Sequence, residues 1–288
     1  MFNIDLKKPV IVFGSTGSLG SAIASHLESL DCQIIRFTRE NFSVDDSVDA
    51  LENILKKIKP GLLINCIAML GLDRCAAERE EALEVNANGN LKILLASQFE
   101  NIPIIQFSTD SVFSQRTKNQ LPNEDSKAYP TTWYGISKYL GEIFVQNKAL
   151  IVRIPMLFGP SNENQLIGKL IKSANSNQDV HVSVDIYSTI TYIPDVANWI
   201  GELIFGEHQF SGSIIHLASD KQVSIYQCLE NILSKMNLVD RLKPVKSNFF
   251  QSIEQKPHYG GLASKFTKVF SYDKSIDLYT EWANKNLL

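Results

Sequence analysis

Residues 134–138 carry side chains that could move a proton at neutral pH. They read Tyr-Gly-Ile-Ser-Lys, which places Lys138 four residues after Tyr134 and on the same face of a helix. A free phenol has a pKa near ~10, so it is a poor acid or base at pH 7. Because a nearby ammonium group favours the phenolate, we expect Lys138 to lower the pKa of Tyr134 and to make it a general acid or base.

A glycine-rich stretch far upstream could bind the partner for such chemistry. Gly14, Gly17 and Gly20 follow an apolar run and open a helical pattern. Glycines let the backbone turn sharply and approach a pyrophosphate, whose charge meets free amides at the helix N-terminus. A purely structural turn is the alternative, but the order strand, turn, helix favours a dinucleotide-binding loop. The residues that we expect to bind the cofactor here are Gly14, Thr16, Gly17, Ser18, Leu19 and Gly20.

The residues after the second apolar run select the nicotinamide cofactor in such folds. An acid there binds the ribose 2′-hydroxyl of NAD, and an arginine accommodates the 2′-phosphate of NADP. The chain reads Arg36-Phe-Thr-Arg39-Glu40. Its two cations favour NADP(H), whereas Glu40 leaves NAD open. A solvated surface charge is an equal alternative for Arg36, so we assign the phosphate contact to Arg39.

The elements that must position these residues alternate regularly over the first 160 residues. Apolar runs at residues 9–13, 33–37, 62–66, 102–107 and 149–154 predict strands. Helical patterns cover residues 18–30, 44–58, 76–87, 91–99 and 134–146, with an interruption expected at Gly89. This alternation predicts an α/β fold with a Rossmann-type doubly wound parallel sheet. We expect an NAD(P)-binding domain over residues 1–160 and a smaller C-terminal substrate lobe over residues 161–288, some of whose segments return to the first domain.

Composition and charge limit the class of protein. The 288 residues are 44% hydrophobic and 20% charged, enough for a sizeable core. A net charge of −3 without runs of like charge favours neither nucleic acid nor a membrane surface as partner. The four cysteines lack paired spacing, and no signal peptide or span of ~18 apolar residues is evident. We therefore expect a cytoplasmic protein with reduced thiols and no dedicated metal site.

A hydroxyl-rich stretch ends the fourth predicted strand. Ser108-Thr109-Asp110 follows its apolar residues, and ligands of open α/β sheets bind at the carboxyl ends of the strands. A hydroxyl at this edge can hold a carbonyl oxygen while Tyr134 supplies a proton. Taken alone, Ser108-Thr109-Asp110 could equally be a turn or a helix cap. The presence of Tyr134 and Lys138 in the same chain favours a catalytic role.

The order of these motifs resembles the extended short-chain dehydrogenases, and more narrowly the dTDP-4-dehydrorhamnose reductase family. The resemblance also runs through Asn65-Cys-Ile-Ala68, Val85-Asn-Ala87, Gly141-Glu142 and the late Pro-His-Tyr-Gly-Gly-Leu262, so it covers almost the whole chain. It implies that a hydride passes from NADPH to the 4-keto carbon of a nucleotide-linked 6-deoxy sugar. Its catalytic triad would be Thr109, Tyr134 and Lys138, with Lys138 also holding the nicotinamide ribose.

The same resemblance implies further contacts. Cys66, Ile67 and Ala68 would form the wall beside the riboses, and Pro155 would lie near the nicotinamide carboxamide. Asp73 and Asp110 match polar positions near the sugar.

Departures from the family pattern fall on the substrate side. Ser111 replaces a tyrosine, Met156 stands where an aromatic residue is common, and the pattern Asp-Gln-x-Gly-x-Pro-Thr reads Asp-Ile-Tyr-Ser-Thr-Ile-Thr at residues 185–191. Ser111, Met156 and Ile186 would therefore reshape the sugar pocket. Since a site built for a polar group rejects ligands that lack it, we expect a different 4-keto sugar or nucleotide rather than rhamnose formation.

Two other functions remain open on the same fold. One is a nucleotide-sugar epimerase; dehydration is disfavoured because Ser111, not glutamate, follows Asp110. The other is a non-catalytic NADP-binding regulator, since Arg153-Ile-Pro-Met-Leu-Phe-Gly is similar to the regulatory beta subunit of methionine adenosyltransferase. Thr109 favours an enzyme, because a pure binder has less need of it. The resemblance also leaves a homodimer open.

Overall fold

The strands of the protein are mostly short, and several are fully buried. The computed structural model describes residues 4–113, 117–118, 120–160, 165–206, 214–255, 257–266 and 269–288. Its strands, in chain order, are β1 (Val10–Phe13), β2 (Ile34–Phe37), β3 (Leu62–Asn65), β4 (Ile104–Thr109), β5 (Leu150–Ile154), β6 (Leu157–Phe158), β7 (Val180–Ser183), β8 (Tyr187–Ser188), β9 (Thr191–Tyr192), β10 (Ile214–His216), β11 (Val223–Ser224) and β12 (Leu242–Val245).

The helices alternate with the first five strands and then dominate the C-terminal half. They are α1 (Ser18–Ser29), α2 (Val48–Ile58), α3 (Leu72–Ala77), α4 (Arg79–Leu83), α5 (Gly89–Ser97), α6 (Trp133–Val145), α7 (Leu166–Asn175), α8 (Ile193–Ile204), α9 (Ile225–Lys235) and α10 (Tyr272–Asn286).

The central sheet is parallel and has the strand order β10-β5-β4-β3-β1-β2. Side chains of β1 alternate between its two faces, as the period of two in a strand requires. Val10 and Val12 join a core with α1 and α8, whereas Ile11 and Phe13 join a second core with α2 and α5. Helices cover both faces of the sheet, so its central strands are buried and mostly apolar, and the predicted doubly wound sheet is confirmed.

Two segments beyond residue 160 complete this layer. β10 adds the strand beside β5, with Ile215 opposite Val152. Helix α8 packs against α1 so closely that a Cβ atom on Gly201 would lie 2.9 Å from His26 Nε2. The division into domains at residue 160 stays a prediction, and the dinucleotide-binding layer draws on chain from both sides of it.

The remaining C-terminal elements surround a separate core. The two-stranded parallel pair of β7 and β12 packs with α7, α9 and α10. The rings of Phe158, Tyr192 and Tyr279 meet there, with centroids 5.3 to 6.4 Å apart. This lobe therefore has its own apolar centre and forms one wall of a deep cleft.

Some predicted element bounds were wrong. The second helix begins at Val48 rather than at residue 44, because Ser43 N donates to Asp46 Oδ2 in a turn and Ser47 caps the helix. Gly89 does not interrupt the following helix; the irregularity is a π-helical turn over Glu84–Asn88, just before it.

Candidate active site

The glycine loop joins β1 to the N-terminus of α1. Gly14 has a φ of +67°, which favours glycine, and a Cβ atom on Gly20 would lie 2.4 Å from Gly14 O. No side chain caps α1, so its first amides stay available for an anion. Ser15 fixes the loop from behind, because its Oγ donates to Phe37 O at 3.0 Å. The loop therefore fits a pyrophosphate, as the sequence predicts.

The two arginines after β2 have different surroundings. Arg36 is bound to α1: its guanidinium donates to both carboxylate oxygens of Glu28, at 3.0 and 2.8 Å, and to Ser25 Oγ at 2.8 Å. Arg39 is exposed and makes no ion pair with any residue that the structure describes. Arg36 thus has a structural partner already, whereas Arg39 has no ion-pair partner among the described residues.

Buried amides shape the cleft wall at the end of β3. Asn65 Nδ2 donates to Asn90 Oδ1 at 2.9 Å and to Gln106 Oε1 at 2.8 Å. Asn65 Oδ1 in turn accepts from Ile67 N at 3.0 Å. These bonds hold the backbone that carries Cys66, Ile67 and Ala68 at the cleft surface.

The π-helical turn links this wall to helix α6. Asn86 Oδ1 accepts from Met69 N at 2.9 Å, and its Nδ2 donates to Met69 O and to Ser137 Oγ at 3.1 and 3.0 Å. A Cβ atom on Gly141 would lie 2.2 Å from Asn86 O. Helix α6 can therefore approach this turn only with glycine at that position.

The three predicted catalytic residues meet at the carboxyl edge of the sheet. Thr109 ends β4, and Tyr134 and Lys138 lie one turn apart on α6. Burial raises the pKa of the Tyr134 phenol above its ordinary value, while its hydrogen bond with Thr109 acts in the opposite direction and the Asp110 carboxylate adds to the rise. The phenol is therefore held protonated, as a proton donor must be.

Lys138 has a different electrostatic role from the expected one. Its Nζ donates to Phe107 O at 2.8 Å, and its side chain is 4% exposed. Burial lowers the pKa of Lys138 to about 8, against the opposing effect of the Glu142 carboxylate. The expected lowering of the pKa of Tyr134 by Lys138 is not what this geometry gives, because burial of the phenol dominates.

Helix α6 is seated against the stretch that carries Thr109. A Cβ atom on Gly135 would lie 2.2 Å from Ser111 O, and Thr132 Oγ1 caps the helix by accepting from Gly135 N at 3.2 Å. Glycine beside Tyr134 is thus a packing requirement of the site.

A buried ion pair anchors the far side of the same helix. Arg153 donates to both carboxylate oxygens of Glu142, at 2.9 and 2.6 Å, and the two residues are 2% and 3% exposed. The Arg153 guanidinium also lies 5.0 Å from the ring centroid of Phe113. This pair fixes α6 to β5 behind Lys138.

One cleft of about 1470 Å³ brings most predicted site residues together. Gly14, Thr16 and Arg39 do not line it. The predicted residues that do line it are Gly17, Ser18, Leu19, Gly20, Cys66, Ile67, Ala68, Asp73, Thr109, Asp110, Ser111, Tyr134, Lys138, Pro155, Met156 and Ile186.

The two acids assigned to the sugar also bind protein backbone. Asp73 Oδ1 accepts from Ser252 Oγ, Ile253 N and Glu254 N at 2.6, 2.7 and 3.3 Å, and the Ser252 bond is the main reason that the pKa of Asp73 lies below its ordinary value. Asp110 Oδ2 accepts from Gly261 N at 2.8 Å. Both acids thereby hold the C-terminal lobe over the cleft.

Sequence reasoning missed several polar side chains of the cleft. Ser108 adjoins the triad threonine, and Ser188 lies in the segment already noted for its departures, so both had a signal. Gln165 had none, and neither had Glu254, which does not line the cleft but bonds the first residue of α6. Both reach the site only through folding of the distant C-terminal lobe.

The described residues form neither a membrane-spanning helix nor a metal-binding cluster. No helix among them is long and apolar enough to cross a membrane. No three or more histidine, cysteine or acidic side chains, within the same part of the chain, are grouped so as to hold a metal ion. The four cysteines are free thiols, and burial raises the pKa of Cys66 to about 12.

Comparisons with known proteins agree with this geometry. Residues 8–277 match the sequence model of the RmlD substrate binding domain. Over 259 residues the chain is 24% identical to the spore coat polysaccharide biosynthesis protein SpsK of Bacillus subtilis, covering 89% of each protein. It is 26% identical to a dTDP-4-dehydrorhamnose reductase of Streptomyces griseus, over 67% of this chain and 64% of that protein. A crystal structure of dTDP-4-dehydrorhamnose reductase from Bacillus anthracis in complex with NADP superimposes with a TM-score of 0.87 and 25% identity, covering 96% of this chain and 99% of that one.

Proposed function

The chain belongs to the RmlD substrate binding domain family, and we propose that it is an NADPH-dependent reductase of nucleotide-linked keto sugars. The observation that carries this proposal is the meeting of Thr109, Tyr134 and Lys138 in one cleft, with the glycine loop of α1 in the same wall. The names of the similar proteins, dTDP-4-dehydrorhamnose reductase and a polysaccharide biosynthesis protein, support the same class of reaction.

The protein's own groups account for binding and proton transfer. Bound NADPH supplies the hydride to the keto carbon. The free amides of the α1 N-terminus would hold its pyrophosphate, Arg39 would bind the 2′-phosphate, and the buried ammonium of Lys138 would hold the nicotinamide ribose.

The Tyr134 phenol then donates its proton to the substrate oxygen as negative charge develops there. Its raised pKa keeps the proton available until that charge appears. Thr109, which bonds to Tyr134, orients the phenol and the carbonyl. The reduction is therefore a hydride addition from one side and a proton donation from Tyr134.

We further propose that the substrate is a nucleotide-linked 4-keto-6-deoxy sugar that differs from the rhamnose precursor in its sugar or its nucleotide. Ser111, Met156 and Ile186 all line the cleft, and Ile186 is 4% exposed within an apolar core. An apolar side chain at this position cannot hydrogen-bond a sugar hydroxyl, so this part of the pocket fits a methyl or other apolar edge.

The test is NADPH oxidation by the purified protein with a panel of dTDP-, GDP- and CDP-linked 4-keto-6-deoxy sugars. We expect turnover with at least one member, and Tyr134→Phe should lower kcat by about 10²–10⁴-fold while NADPH binding is kept. Tight NADPH binding without turnover on any sugar would overturn the reductase and favour the regulatory protein. Exchange of a carbon-bound hydrogen of the sugar ring with solvent, without net NADPH oxidation, would favour the epimerase.

A further inference from the structure

Buried polar atoms without partners mark where a ligand can bind. In the cleft wall, Ser108 Oγ, Gln165 Oε1 and Ser188 Oγ are buried and find no hydrogen-bond partner among the described residues. A buried polar atom without a hydrogen-bond partner lowers stability by about 1–3 kcal/mol, so native structures rarely keep one without a reason. Ser188 is the informative case, because it belongs to the C-terminal lobe and its Oγ lies near Asp110.

The hydroxyl of Ser188 lies close to the catalytic end of the cleft. The residue is 6% exposed and ends β8. A Cβ atom built on Gly260 would lie 3.7 Å from Ser188 Oγ and 2.9 Å from Asp110 Oδ2, so the two oxygens flank the same point. Asp110 directly follows Thr109, whose Oγ1 donates to Asp110 Oδ1 at 3.3 Å. Ser188 Oγ therefore lies near the carboxylate of the residue that follows Thr109.

The neighbouring groups are already used by the fold. Tyr187 N donates to His258 O, and Gly260 N donates to Tyr187 O, both at 2.8 Å. The next hydroxyl along the chain, Thr189 Oγ1, accepts from Leu262 N at 3.0 Å. Hydrogen bonds to protein thus hold this segment in place without any contribution from the Ser188 side chain.

Ser188 and Ile186 form a pair with opposite chemistry. Residues two apart in an extended segment project to the same side, about 7 Å apart. Both side chains are buried and both line the cleft. This wall therefore offers an apolar contact from Ile186 and one hydrogen-bonding group from Ser188.

We propose that Ser188 is a specificity-determining residue whose hydroxyl hydrogen-bonds the 3-hydroxyl of the sugar, while Ile186 contacts an apolar edge of the same ring. The inference rests on the proposed reduction of a 4-keto-6-deoxy sugar. In such a ring C4 has two carbon neighbours: C5 carries the methyl group, and C3 carries the adjacent hydroxyl. The group beside the carbonyl that can satisfy Ser188 is then the 3-hydroxyl.

The test compares dTDP-4-keto-6-deoxyglucose with its 3-deoxy and 2-deoxy analogues. Two readouts are taken: kcat/KM for NADPH oxidation, and the affinity of the NADP⁺-loaded protein for each sugar by calorimetry. We expect Ser188→Ala to lower both kcat/KM and affinity by about 5- to 100-fold for dTDP-4-keto-6-deoxyglucose and for its 2-deoxy analogue. Both values for the 3-deoxy analogue should stay unchanged. Ser188→Thr, which keeps the hydroxyl, should retain the preference for the 3-hydroxyl.

A matched control is Ser97→Ala, a buried serine of α5 whose Oγ donates to Leu94 O at 2.7 Å, away from the cleft. It should leave the ratios between the three sugars unchanged. Equal weakening of all three sugars by Ser188→Ala, or no weakening, would overturn the inference while the reductase stands. Wild-type protein without turnover on any sugar would overturn the proposed function, and the calorimetric preference would then decide the role of Ser188 separately.

Discussion

The carboxylate of Glu254 accepts from the backbone amide of Trp133 through both of its oxygens, each at 3.0 Å. Trp133 is the first residue of α6, and Tyr134 is the second. Glu254 comes from the C-terminal lobe, and Asp73 holds its segment through Ser252 and Ile253. The start of the catalytic helix is therefore fixed by a residue from the opposite wall of the cleft.

Replacement of Glu254 should loosen that helix start. We expect Glu254→Ala to lower the free energy of unfolding by about 1 kcal/mol, because a capping acceptor and a favourable charge at a helix N-terminus are both lost. The kcat should fall more than the affinity for NADPH, since Tyr134 lies next to the freed amide. Urea unfolding and steady-state kinetics measure the two effects. Glu254→Gln, which keeps an acceptor oxygen, should lose less stability and less kcat. A larger loss in Glu254→Gln than in Glu254→Ala would contradict this role.

Two glycines at the third position of their helices should respond oppositely to alanine. In Gly135→Ala the new methyl would meet Ser111 O at 2.2 Å, so α6 must shift, and we expect a loss of about 1–3 kcal/mol in stability together with reduced kcat. In Gly168→Ala of α7 the nearest atom is Tyr279 Oη at 3.6 Å, an ordinary contact. That variant should gain about 0.5–1 kcal/mol from helix propensity. Thermal unfolding of both proteins measures the difference, and two changes of equal sign would refute it.

The rate should depend on pH through Lys138. Because burial lowers its pKa to about 8, the ammonium is lost as the pH rises through that value. We therefore expect kcat/KM to fall on the alkaline side with an apparent pKa near 8. Lys138→Arg, whose charge persists at high pH, should move this fall upward. A profile of the wild-type protein that stays flat from pH 7 to about 10 would show that the charge on Lys138 is not needed.

The same shift predicts a change in stability. The folded chain releases the Lys138 proton at about pH 8, whereas the unfolded chain keeps it up to the ordinary pKa of 10.5. Between these values the unfolded chain binds more protons, so the contribution of Lys138 makes the free energy of unfolding rise with pH. Urea unfolding of wild type and Lys138→Met at pH 7.5 and about 9.5 isolates this contribution. From the lower to the higher pH, the free energy of unfolding of the wild type should rise relative to that of Lys138→Met.

Arg39 should set the preference for NADPH over NADH. We expect Arg39→Ala to weaken the binding of NADPH by about 10-fold or more and to change the binding of NADH little, because only NADPH carries the 2′-phosphate. Fluorescence titration with both nucleotides measures the affinities. Arg36→Ala is the matched control: its guanidinium is held by Glu28 and Ser25, so it should affect stability more than cofactor choice. An equal loss for both nucleotides in Arg39→Ala would contradict the phosphate contact.

The sequence predicted the parts of this protein that rest on local patterns. Mostly apolar runs located β1, β3 and β5, since strands buried on both faces favour apolar residues, and the glycine spacing located the loop before α1. The triad followed from two motifs at the carboxyl edge of the sheet.

What the sequence could not predict depends on distant contacts. Helix α10 was missed because much of its sequence is polar, and even its buried face includes Ser275 and Thr280. The bond between Glu254 and Trp133 joins residues 121 positions apart, and no local pattern marks either partner. The electrostatics of Tyr134 were also mistaken, because the spacing to Lys138 reveals a neighbour but not the depth of burial that dominates the pKa.

The late arrival of β10 in the sheet has a consequence for synthesis of the protein. While the chain emerges from the ribosome, the outer surface of α1 stays exposed until α8 has left the exit tunnel. The edge of β5 stays unpaired for longer, until His216 at the end of β10 has also emerged. A fragment cut after β5 would expose both surfaces to other chains. The nucleotide-binding half therefore reaches its native form only after three quarters of the polypeptide has been made.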